Sequence, residues 1–92
     1  MICVLPFDDL DDAVNRANAT DYGLGASIWT RDITRAHGLA QAVSAGNVWV
    51  NMPNPLDAAA PWGGAKSSGW GREMGHEVLN NYTQTKAVCA RI

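Results

Sequence analysis

The stretch LGASIWTRDITRAHGLAQAVSAGNVWVN, residues 24–51, decides the fold. Its first part, Leu24–Thr30, is an apolar run with Ile28 and Trp29 and reads as a strand. Thr30 or Asp32 can then cap a helix in which Ile33, Ala36, Ala40 and Val43 recur on one face. Gly46 stands where a left-handed residue would end that helix. Asn47–Asn51, NVWVN, is β-branched and aromatic and reads as the next strand. Two strands joined through a helix run parallel, because a tight hairpin cannot make that connection.

The same alternation extends backwards. Ile2–Phe7, ICVLPF, is a continuous apolar run and predicts a buried strand, with Pro6 marking its end. In DDLDDAVNRANAT, Leu10, Ala13, Val14 and Ala17 follow the helix period, and Asp8 or Asp9 can cap the first turn. The expected fold class is α/β, a βαβαβ parallel sheet. From Met52 to Trp70 the periodicity stops and prolines stand at 53, 55 and 61, so a long loop is expected; loops of this length in compact domains usually carry function. GREMGHEVLNNY then predicts a short helix with Arg72 and Glu73 in its first turn and Met74, Val78, Leu79 and Tyr82 inward. The final KAVCARI alternates with period two and predicts a terminal strand with no partner near it in sequence.

Composition narrows the function classes. A chain of 92 residues forms one small domain, and charged residues make up only 17% of it. Small domains have much surface to cover with charge, so part of this surface is expected to meet further protein. The net charge of −2, without any basic tract, argues against nucleic acid as the partner. No apolar run reaches the length of a membrane span. Cys3 and Cys89 lack metal-site spacing and lie in apolar runs; they read as small buried hydrophobes in a reducing, cytoplasmic setting.

The segment APWGGAKSSGWGREMG, residues 60–75, invites a phosphate-loop reading that its spacing denies. Ala65, not glycine, precedes Lys66, and Met74 stands where a dinucleotide fingerprint after Gly69 and Gly71 needs its third glycine. Ser67 and Ser68 have no nucleophile frame, and neither His37 nor His76 lies in a catalytic arrangement. Glu73 reads as a first-turn acid or ion-pair partner. The residues alone therefore give no catalytic set, no cofactor-binding set and no metal site. Trp62, between a proline and two glycines, is either a pocket wall or core filler.

YGLGASIWTRD, AGNVWVN, PWGGAKSSGWGREMG and LNNYTQTKAV occur in that order. Together they resemble the C-terminal portion of the aldehyde dehydrogenase superfamily, with a look closest to phenylacetaldehyde-type or betaine-aldehyde-type members. The resemblance covers essentially the whole chain. It implies oxidation of aldehydes to carboxylic acids with NAD or NADP, through a cysteine thiohemiacetal and a thioester. It also implies that the nucleophilic cysteine, the general-base glutamate, the oxyanion asparagine and the cofactor contacts belong to sequence preceding Met1. The 92 residues alone are then expected to be inactive, and Cys3 is not the nucleophile.

What the resemblance carries onto this chain is a substrate-tunnel loop, residues 52–70, with Asn54, Leu56 and Trp62 as substrate-binding residues. It further implies a division into residues 1–82, part of the catalytic domain, and residues 83–92, a strand that crosses to another subunit and makes a homo-oligomer. Lys66 and Gly69 match the places of a cation site between subunits in betaine-aldehyde-type relatives. The alternative is a non-catalytic interaction module that docks on an aldehyde dehydrogenase through its last strand.

Overall fold

A computed structural model describes all 92 residues. Helix α1 spans Leu10–Asn18, followed by the short strand β1 (Tyr22–Gly23), β2 (Gly25–Ile28), helix α2 (Ile33–Ala42) and β3 (Asn47–Val50). A two-residue strand β4 (Ala65–Lys66), a 3-10 turn (His76–Val78) and a one-turn helix α3 (Leu79–Tyr82) complete the elements. β2 and β3 pair in parallel, with Gly25 opposite Asn47 and Ile28 opposite Val50. The βαβ unit read from residues 24–51 is therefore present.

Caps set the helix ends. Asp9 begins α1, its carboxylate accepting from the Asp12 amide at 2.8 Å. The Asp12 carboxyl is held below the usual carboxylate range, first by the hydrogen bond from the Arg16 guanidinium and then by the Asp8 amide. Asp32, one of the two candidate caps for α2, accepts from the amides of Thr34 and Arg35 at 2.9 and 3.1 Å. Asp32→Ala is expected to cost about 1 kcal/mol, read as a lowered thermal midpoint. At the other end α2 stops at Val43, whose backbone is extended. The Asn18 side-chain amide closes that end, donating to Ala42 O at 2.9 Å and accepting from the Ser44 amide at 2.7 Å. Gly46 is thus not a left-handed cap, as the spacing had suggested, because the helix has already ended three residues earlier. Asn51 prolongs the parallel ladder with its side chain, accepting from Thr30 N and donating to Thr30 O, both at 2.8 Å.

The structure corrects several expectations. Residues 2–7 join no sheet, so the parallel sheet has two strands and not the three of βαβαβ. A strand needs a neighbour to satisfy its N–H and C=O groups, and this segment pairs with neither β2 nor β3. Its apolar side chains, and both cysteines, are exposed rather than buried. The loop after Asn51 is not irregular throughout: β4 pairs antiparallel with β1, Tyr22 opposite Lys66, and Trp62 bridges antiparallel to Glu73. Arg72 and Glu73 consequently precede the last helix instead of opening it. Met74 and Val78, which precede that helix, are half-buried, whereas Leu79 and Tyr82 within it are exposed. Residues 83–92 are exposed and pair with no strand of this chain.

The core is small. Ile28 and Ala36 are the buried apolar side chains. The radius of gyration is 17.7 Å, against about 12 Å for a compact domain of this length. Ile2, Val4, Leu5, Phe7, Trp29 and Ile33 all face outwards, an apolar area that an isolated small domain would bury. No helix is long and apolar enough to cross a membrane.

Candidate functional site

Strand β3 builds the site. Its period-two alternation puts Asn47 and Trp49 on one face. The Trp49 ring lies over Gly25, where a Cβ would come within 2.7 Å of it, so only glycine leaves the indole its seat. The Trp49 indole N–H donates to Pro55 O at 3.1 Å and pins the proline-rich loop to the sheet. Trp62 stands beside Trp49, with ring centroids 5.8 Å apart and planes tilted by 38°. Such an offset, tilted pair is a favourable aromatic geometry.

The backbone of Trp62 is tied from two sides. Its N–H and C=O exchange hydrogen bonds with Glu73, both at 2.7 Å. The Asn47 amide donates to Pro61 O at 3.0 Å and accepts from the Gly63 amide at 3.1 Å. Below it the glycine pair runs close under β3: a Cβ on Gly46 would lie 1.8 Å from Gly63 O. The Arg72 guanidinium donates to Gly64 O and Gly71 O at 2.8 and 2.7 Å. Lys66 reaches back to α1, donating to Asn18 O and Thr20 O at 2.8 and 3.0 Å, where a cation suits a helix C-terminus.

Between β3 and the loop lies a cavity of about 680 Å³, walled by Trp49, Trp62, Leu56, Met52, Met74 and neighbouring prolines and alanines. A smaller groove of about 300 Å³ opens on the other side of the tryptophan pair and holds Asn54 against Ala26 and Ser27. The structure thus brings Leu56 and Trp62 to one cavity and places Asn54 in the adjoining groove, with Trp62 shared by both. Asn47, Trp49 and Met74 were not among the sequence candidates. For Trp49 the signal was available, a large aromatic in the NVWVN strand that leads into the loop. The main lining is mostly apolar, with Asn47 and Asp57 its polar members, and contains no thiol; it can receive an apolar group. No three His, Cys, Asp or Glu residues come together in a metal-holding group.

Residues 1–88 match the family model described as "Aldehyde dehydrogenase family". The chain belongs to the aldehyde dehydrogenase family. It is 52% identical to betaine aldehyde dehydrogenase 2 of Rhizobium meliloti and 47% identical to the putative aldehyde dehydrogenase DhaS of Bacillus subtilis, in each case over 96% of this chain and 18% of the relative. The Bacillus cereus aldehyde dehydrogenase, solved in complex with NAD+, superposes with a TM-score of 0.89 at 49% identity, covering 91% of this chain and 17% of that one. An apo indole-3-acetaldehyde dehydrogenase gives 0.84 at 44% identity, over 87% and 19%. The chain therefore spans under a fifth of the length of the curated aldehyde dehydrogenases it matches. The family uses NAD(P), but these residues do not fit a dinucleotide. The Gly69–Gly71 turn leads into the Trp62–Glu73 bridge and not into a helix N-terminus, and the nearby cations of Arg72 and Lys66 are directed at backbone carbonyls.

Proposed function

We propose that this chain is the C-terminal part of the catalytic domain of an NAD(P)-dependent aldehyde dehydrogenase, and that it supplies one wall of the aldehyde pocket. The observation that carries this reading is the apolar cavity of about 680 Å³ with the Trp49–Trp62 pair at its side. Trp62 and Leu56 shape the space for the organic group of the aldehyde, and Asn54 lines the adjoining groove. These side chains orient substrate and exclude water; none of them carries a proton or attacks carbon. Thiolate, general base, oxyanion donor and NAD(P) contacts lie in polypeptide beyond these 92 residues. The exposed apolar surface of residues 2–33 is the seat of that polypeptide, and residues 83–92 add a strand to a neighbouring subunit. Aldehydes with aromatic or other hydrophobic groups suit the lining.

The test is direct. The purified 92-residue chain is expected to give no NAD(P)H from aldehyde and NAD(P)+, whereas the longer polypeptide carrying it does. NAD(P)H formation by the short chain would sink the assignment of the reacting groups. A second reading is supported by the exposed tail: a non-catalytic module that docks on a dehydrogenase through residues 83–92. Light scattering separates the two, since a short chain that stays monomeric and leaves a relative's oligomer undisturbed is no docking module.

A further inference from the structure

We infer that Asn47 is a positioning residue for aldehyde binding, acting by fixing Trp62 in the pocket wall. This rests on the pocket reading given above. Asn47 sits at the start of β3, opposite Gly25 in the parallel ladder. Its side chain reaches across 14 residues to Pro61 O and 16 residues to the Gly63 amide. Those two groups flank Trp62. Glu73 takes the two groups between them, the N–H and C=O of Trp62 itself. Four successive polar groups of the backbone, from Pro61 O to Trp62 O and Gly63 N, are therefore held.

The arrangement locks a ring whose own segment has little else to hold it. Residues 52–61 form no strand or helix, and the chain enters Trp62 through Pro61. Asn47 ties the Trp62 backbone to the same strand face that carries Trp49, so the two indoles share one frame and keep their 5.8 Å spacing. A carboxamide meets both demands at once, donating on one side and accepting on the other. A carboxylate in its place keeps the acceptor and loses the donor. An isosteric apolar side chain loses both and leaves Pro61 O and Gly63 N to find other partners.

The experiment is steady-state kinetics of the full-length dehydrogenase carrying this sequence, with a hydrophobic aldehyde. Asn47→Leu is expected to raise the aldehyde KM about tenfold, with kcat within about twofold and the NAD(P)+ KM unchanged. Asn47→Asp is expected to raise it about threefold. Hydrogen exchange supplies a readout besides activity: the Gly63 amide is expected to exchange about tenfold faster in Asn47→Leu. If Asn47→Leu does not assemble, Asn47→Asp decides the matter. An unchanged aldehyde KM in an assembled variant overturns the inference, as does an equal rise in the KM of both substrates or an unaltered exchange rate at Gly63. A wild-type enzyme that oxidises no aldehyde defeats the pocket reading itself, and this outcome is visible before any variant is made.

Discussion

Replacing Trp62 by alanine in the dehydrogenase carrying this sequence is expected to lower kcat/KM for a hydrophobic aldehyde about a hundredfold, equivalent to about 2.7 kcal/mol. The loss has two sources. The indole supplies apolar area facing the main cavity, and burying a large side chain's worth of surface is worth roughly 1.5–3 kcal/mol. The ring also separates that cavity from the groove of Asn54, so its removal merges the two and lets water reach the substrate. Trp62→Phe keeps a ring beside Trp49 and is expected to stay within about fivefold. The NAD(P)+ KM is the control, because this chain's residues do not fit the dinucleotide. An alanine variant with wild-type kcat/KM for hydrophobic aldehydes would remove Trp62 from the pocket wall.

Gly46→Ala is expected to destabilise the protein by about 4 kcal/mol or more, at the far end of what single substitutions do. The added Cβ would lie 1.8 Å from Gly63 O and 3.1 Å from Gly64 C, backbone atoms that no rotamer change can move. The clash falls where the β3 strand crosses the glycine pair, so relief requires pulling the pocket loop off the sheet. Gly38→Ala is the matched control. It lies within α2, nothing stands within 4 Å of its added Cβ, and alanine there is expected to stabilise by about 0.5–1 kcal/mol through helix propensity. Urea midpoints of the two variants test the pair together. Equal midpoints would show that the Gly46–Gly63 approach is not a tight one.

The βαβ unit of residues 24–51 was legible because local signals and global fold agree there. Asp32 caps, the apolar face recurs at helical spacing, and NVWVN alternates. Ile2–Phe7 reads as a strand on the same grounds, yet it is unpaired. Apolar runs say that a segment wants burial, not who provides it. The β1–β4 pair and the Trp62–Glu73 bridge escaped the reading for a different reason. Both are two-residue contacts between glycine-rich segments, too short to leave any periodicity. Trp62 could be singled out by its residue type and surroundings, and Asn54 and Leu56 through the family resemblance. Asn47 could not, because its role lies in two carbonyl and amide partners that only the folded chain brings within reach.

The bonds that tie β4 and the turn after it back to α1 and β1 have a kinetic consequence. Lys66 meets Asn18 and Thr20 across 48 and 46 residues, and the Gly23 amide meets Ser68 Oγ across 45. Each closes a long loop, whose entropy must be spent before any contact repays it. The two helices and the β2–β3 pair need much shorter closures. Order along the folding route therefore runs from the βαβ unit outwards, with the β1–β4 pairing assembled late. Residues 52–61 form no helix or strand, so opening them costs little, and proteases should find that segment before they find the sheet.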